Sequence, residues 1–332
     1  MSPLPRVRLF LRKALTALTI MFGFALGSTA LEAQSTPIKQ STPTKQSTPT
    51  EEKPASGREF IRFFEESPSR GDLKTSVRRY RHEETGRVVA LVSAVHVADR
   101  AYFRDLQAEL DRYDLVLFER VGTEDEIREN PKESGLGFFA LLQLELTRLF
   151  SFQYQLDGID YERRNFRHAD MSLEEFSRRS GMPVGPASGA GEEDELMSFF
   201  APILQMGFAF VRTLLEMDPQ VLDQMRMQFA RVLGDMDAAM EQMNSAGMAF
   251  DPDDVILGAR NDHVWNVLEE TLPERHQRIA IFYGAAHMPD FDQRLRAEGW
   301  KLDSQEWIRA WQIPAPKPGD PLPRPASKGV DL

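Results

Sequence analysis

Two stretches near opposite ends of this chain share one design. Arg87 to His96 (RVVALVSAVH) and Arg278 to His287 (RIAIFYGAAH) each begin on arginine, cross a short apolar run, pass through small residues and end on histidine. A continuous apolar run of this length, rich in β-branched residues, reads as a strand buried on both faces. Such strands belong to parallel sheets, and in open α/β sheets ligands gather at the carboxyl ends of the strands. After His96, Asp99 to Arg112 carries Tyr102, Phe103, Leu106 and Leu110 at helical spacing, and the apolar run Tyr113 to Arg120 follows at once. That is a strand–helix–strand unit. Upstream, Thr75 to His82 alternates, and Glu83 to Gly86 supplies turn residues, so a β-hairpin leads into the first run. The predicted fold class is α/β, a mostly parallel sheet with flanking helices and an N-terminal β-hairpin.

The remaining segments divide the chain. Residues 1–33 read as an export signal: Arg6, Arg8, Arg12 and Lys13 precede an uncharged run from Ala14 to Leu31, with small residues at Ser28, Ala30 and Ala33. The run is also long enough for an uncleaved anchor. Residues 34–56 hold a repeat with proline in every unit, a solvated linker. The folded domain is expected over 57–313, and a Pro-rich, disordered tail over 314–332. Gln153 to Tyr161 reads as a short strand, the stretch His168 to Met171 as a loop, and Ser172 as the N-cap of a helix. Residues 192–250 form a Met- and Phe-rich helical insertion holding nine of the chain's fourteen methionines. Such a surface is either an adaptable face for peptides or lipids or a helical cap packed on its own core. Asp251 to Asp254 begins a further helix with Val264, Trp265 and Leu268 on its buried side, and Trp300 to Ile313 adds a late, edge strand.

Composition excludes several functions. The 332 residues carry a net charge of −11 without a long basic run, which argues against nucleic acid as a partner. Removing residues 1–33 leaves 36 basic against 50 acidic residues. There is no cysteine, so disulfides, thiolate catalysis and Cys-bound zinc are ruled out. No phosphate-binding glycine loop, Gly-x-Ser-x-Gly elbow or His-Glu-x-x-His helix occurs. The expected location is exported: periplasmic, secreted or membrane-tethered, with membrane contact only through the N-terminal segment or the Met/Phe-rich helices.

The candidate chemistry lies at strand ends. His96, Glu119 and His287 each follow an apolar strand directly or after a few small residues. Two imidazoles and a carboxylate make an open divalent-metal set, although a lone histidine near a strand end is usually an ordinary hydrogen-bonded structural residue. His168 and Asp170 stand just before a helix start, where polar side chains reach a cleft, and Asp170 also reads as a cap for backbone amides.

The frame formed by Ser93 to His96, Tyr113 to Glu119, Arg260-Asn261 and Gly284 to His287 resembles the TraB/GumN/Tiki family. That family has a Gly-x-x-His motif after one strand, a glutamate ending the next, an Arg-Asn pair in a later helix and a second Gly-x-x-His. The resemblance covers about 87–120 and 255–312. It implies an exported or membrane-tethered α/β domain, in some relatives a metal-dependent protease. It implies His96 and His287 as ligands of a divalent ion (Mn, Co or Zn) or as groups positioning water, and Glu119 as ligand or general base. Arg260 is then an oxyanion or substrate-carboxylate partner, or a structural salt bridge to Glu119, and Asn261 a ligating or positioning group. Ser93 departs from the motif glycine, which bears on activity more than on fold. Two functions remain open: a metal-dependent hydrolase acting on a peptide or protein, and a non-catalytic protein that sequesters a peptide, lipid or cofactor on the same fold. A working surface confined to residues 196–250 is a third.

Overall fold

In a computed structural model the chain is described at residues 56–121, 147–180, 219–235, 238 and 257–316. Its first strands are β1 (Ile61–Ser67) and β2 (Arg70–Arg81), paired antiparallel with Ile61 opposite Thr75. The hairpin from β2 into β3 (Val88–Ala94) forms as expected, and Gly86 holds φ +69° in its turn, a conformation open to a residue without Cβ. After a short strand β4 (Val97–Ala98), helix α1 (Arg100–Leu110) buries Tyr102, Phe103, Leu106 and Leu110, and β5 (Leu115–Phe118) completes the strand–helix–strand unit.

The middle of the chain departs from expectation in two places. The strand read over Gln153 to Tyr161 is only β6 (Gln153–Tyr154), because the helical turn α2 (Gln155–Gly158) follows at once. There the Gln155 amide nitrogen donates to the His96 carbonyl and its side chain donates to Tyr161 Oη. A strand that the sequence did not suggest, β7 (Phe166–His168), is held in the sheet by parallel pairing with β5 and takes in His168, the first residue of the stretch read as a loop. Three residues are too few for hydrophobic alternation to register. Ser172 does cap α3 (Leu173–Ser180), its Oγ accepting from the Glu175 amide at 3.1 Å.

Next come α4 (Pro219–Gly234), α5 (Gly258–Thr271), β8 (Arg278–Gly284), one turn of 3-10 helix over Ala285–His287, α6 (Met288–Ala297) and β9 (Lys301–Ile313). From the Met/Phe-rich segment, α4 packs on β1, β2 and β9. Met225, Met227, Phe229 and Ala230 on this helix join the main core. Buried Arg226 lies 2.5 Å from Asp99 and 4.3 Å from the centre of the Phe152 ring. For the described part of this segment, the methionines are therefore packing residues.

Among the described residues the main sheet has seven strands: β9, β2, β3, β8, β5 and β7 in that order, and β1, which also pairs with β2. Both β9 and β1 face residues 71–75 of β2, so β1 lies on the same edge of β2 as β3, in line with it. The pairings make β2 the single reversed strand; the other six run one way. Within that set β3, β8, β5 and β7 form a parallel block in close register, Ala94 beside Gly284 and Phe118 beside both Phe282 and His168. Val89 to Val92, Val116, Leu117 and Ile279 to Phe282 are almost fully buried, as strands covered on both faces require. The four carboxyl ends therefore open on one edge of the sheet. Among the described residues no helix is long and apolar enough to cross a membrane. The expected export signal, the repeat linker up to residue 55, most of the insertion and the tail from 317 lie outside the described residues.

Candidate active site at the strand ends

Each strand of the parallel block delivers one ionisable side chain to this edge. His96 comes two residues after β3, Glu119 directly after β5, Asp170 two residues after β7, and His287 at the close of the 3-10 turn after β8. Arg260 and Asn261 enter from the first turn of α5, and both are buried there.

Glu119 is the hub. Its Oε2 accepts from the Gly284 amide at 2.6 Å, and its Oε1 accepts from Arg260 Nη2 at 2.8 Å. His287 Nε2 lies 3.6 Å from the same Oε1. Arg260 also forks onto Asp170, with Nε 2.9 Å from Oδ1 and Nη2 2.5 Å from Oδ2. Such a planar, two-pronged fit is what guanidinium offers and ammonium does not. On the other side of the site, His287 Nδ1 stands 2.6 Å from Asn261 Oδ1, and Asn261 Nδ2 donates to Asp290 Oδ2 at 2.8 Å. The His287 ring packs edge-on against Tyr283 and stacks on Phe291. Tyr283 Oη donates to the Ala169 carbonyl at 2.5 Å, tying β8 to the residue before Asp170.

The glycine of the second motif has a spatial role. Gly284 holds φ −55° and ψ 145°, which any residue adopts. A Cβ at Gly284, however, would lie 3.3 Å from Glu119 Oε2, 3.7 Å from His287 Cδ2 and 3.9 Å from His96 Nε2. Three candidate groups thus surround bare backbone. Ser93 is placed differently. It lies within β3 beside Tyr283, and Ala94 is the residue beside Gly284, so the two motifs are offset by one residue in the sheet. Ser93 Oγ is buried without a hydrogen-bond partner among the described residues, while Tyr102 Oη donates to the Ser93 carbonyl.

Electrostatics follow from burial and pairing. Burial alone would raise the Glu119 carboxyl; Arg260, then His287 and His96, outweigh it and hold the group well below the usual glutamate range. Burial works against the Arg260 charge, but Asp170 and Glu119 more than offset it and raise the guanidinium further. Burial, then the charge on Asp170, raises the Tyr283 phenol well above its usual value. Two carboxylates around one guanidinium leave a net charge of −1 before the imidazoles are counted.

The fold therefore gathers Glu119, Arg260, Asn261, Asp170, His287 and His96. His168 goes elsewhere: its Nε2 meets the Arg120 carbonyl at 2.6 Å, and its ring stands edge-on to Phe118. Asp170 accepts from the adjacent Met171 amide, but Ser172 caps α3, and the Asp170 carboxylate serves Arg260. Arg260 bridges two carboxylates, which is the salt-bridge alternative in enlarged form. Sequence reasoning missed Tyr283, Asp290 and the Gly284 amide. Asp290 had a signal, since it stands three residues after His287 in the first turn of α6.

As donors, His287 Nε2 and Glu119 Oε1 are spaced much as two ligands of one ion would be, roughly 3.3 Å apart for bonds of about 2.0–2.1 Å in tetrahedral geometry. Among the described residues, no group of three or more His, Asp or Glu side chains is arranged to hold a metal as it stands. No family model matches this chain, and no curated protein or solved structure does.

Proposed function

We propose that this chain is an exported, divalent-metal-dependent hydrolase of amide bonds, with His287, Glu119 and His96 as the metal-binding set. The observation that carries this reading is the convergence of these three side chains around the bare backbone of Gly284. Support also comes from the resemblance to the TraB/GumN/Tiki family at those positions. A buried net negative charge flanked by imidazoles attracts a cation. When bound, a divalent ion would lower the pKa of its water and polarise a carbonyl.

The residues divide that work. Glu119, kept ionised by Arg260 and fixed at Oε2 by the Gly284 amide, holds a proton-accepting oxygen facing His287. Arg260 is 5% exposed and committed to Glu119 and Asp170, which suits bracing better than contact with substrate. Asn261 fixes the plane of the His287 ring.

A second reading, a binding protein without turnover, draws on the engagement of both Glu119 oxygens within the fold. The test is metal analysis of the purified chain, followed by incubation of Mn-, Co- and Zn-loaded protein with a peptide mixture. About one retained ion per chain, lost in both His96→Ala and His287→Ala, together with new peptide termini, is the expected result. Full occupancy in the double variant would overturn the metal site. Intact peptides that nevertheless bind would decide for the second reading.

A further inference from the structure

We infer that Asp290 is a positioning residue that sets the tautomer of His287 through Asn261. This rests on the reading of the strand-end cluster as a cation site, and it adds the device that would aim a nitrogen lone pair into it. Asp290 Oδ2 faces two N–H donors, Asn261 Nδ2 at 2.8 Å and Arg294 Nε at 3.0 Å. An oxygen so placed acts as an acceptor, which obliges the Asn261 amide to turn its NH2 toward it. The amide oxygen is then left facing His287 Nδ1 at 2.6 Å. That oxygen can only accept, so Nδ1 carries a proton, and in the neutral ring it is Nε2 that is left with the lone pair, on the side of Glu119 3.6 Å away.

Removing Asp290 frees the amide to rotate. Its NH2 can then face Nδ1 and favour the Nε2–H form, which a free imidazole side chain prefers. Arg294 holds Asp290 in place, since its Nη2 also donates to Asp262 Oδ1 at 2.6 Å, and its guanidinium lies 5.7 Å from the centre of the Trp265 ring. Metal-ligating histidines commonly have their second ring N–H fixed in this way by an outer acceptor. Here the orienting acceptor stands one residue further out. With a side chain 37% exposed, Asp290 can be replaced without opening the core.

The test is long-range 1H–15N NMR on the metal-free chain labelled at its six histidines, at mildly alkaline pH, with His287 assigned by its loss in His287→Gln. The wild type is expected to show Nδ1–H as the major form, because one net hydrogen bond, about tenfold in a ratio, is set against the free ring's preference for Nε2–H. Asp290→Ala should move His287 toward Nε2–H. Adding Asn261→Asp to that variant supplies a group that can only accept, and should restore Nδ1–H. An Nε2–H or doubly protonated ring in the wild type, no change in Asp290→Ala, or no restoration in the double variant would each overturn the inference. The wild-type spectrum alone keeps it falsifiable if a variant fails to fold. Metal retained at His287 with the wrong tautomer refutes only this inference. The right tautomer in a chain that binds no metal refutes only the hydrolase.

Discussion

Asp170 and Arg260, 90 residues apart in sequence, meet in a two-pronged buried ion pair, and the same guanidinium reaches 2.8 Å further to Glu119. Arg260 is thus a brace between the ends of β5 and β7 and the first turn of α5. Its charge is shared by two carboxylates, neither of which has much solvent to fall back on.

Arg260→Met would leave both carboxylates buried without that cation. We expect a loss of about 3–5 kcal/mol in unfolding free energy by urea titration, the usual result of removing one partner from a buried pair. Arg260→Lys should recover only part of it, because an ammonium cannot fork onto Asp170 and reach Glu119 together. A loss below about 1 kcal/mol, the range of an exposed pair, would contradict the brace.

Glu119 makes stability depend on pH. Burial acts to raise its carboxyl, Arg260, His287 and His96 lower it more, and in the unfolded chain it returns to about 4.3. Because the folded value is the lower one, its contribution is complete above the unfolded value and disappears as pH falls through the folded value. Glu119→Gln lacks this component. The stability gap between wild type and variant should therefore be widest near neutrality and narrow below about pH 4. Thermal melts across that range would expose a constant gap, which would be inconsistent with a depressed carboxyl.

The two motif positions should respond in opposite ways to alanine. At Gly284 the backbone accepts alanine, but the new methyl would lie 3.3 Å from Glu119 Oε2. Folding stability should stay within about 1 kcal/mol of wild type, while affinity for a divalent ion falls about tenfold or more. Ser93→Ala removes a buried hydroxyl that has no partner among the described residues, so stability should hold or rise by about 1 kcal/mol. A large loss on Ser93→Ala would place an unrecognised partner at that hydroxyl.

The sequence made β3, β5, β8 and the hairpin around Gly86 legible, because long apolar runs and turn residues report burial directly. It also marked His96, Glu119 and His287, each a polar residue at the end of an apolar run. It hid β7, whose three residues are too short for a period, and with it the reason Asp170 stands beside Arg260. Only the parallel pairing of Phe118 with His168 brings that carboxylate to the site edge. The offset between the motifs was equally invisible, since matching spacing in sequence says nothing of register between strands. Ser93 therefore occupies a strand interior, whereas Gly284 borders the site.

The place of β8 bears on when the molecule becomes whole. It lies between β3 and β5, which follow each other in the chain with only β4 and α1 between them. A chain emerging from the ribosome therefore carries two bare apolar strand edges until Arg278 to Gly284 has been made, and such edges are prone to pair with other chains. The segment that finally seals this gap brings His287 with it. Closure of the parallel block and completion of the candidate site are one event, so a chain cut short before β8 would present neither.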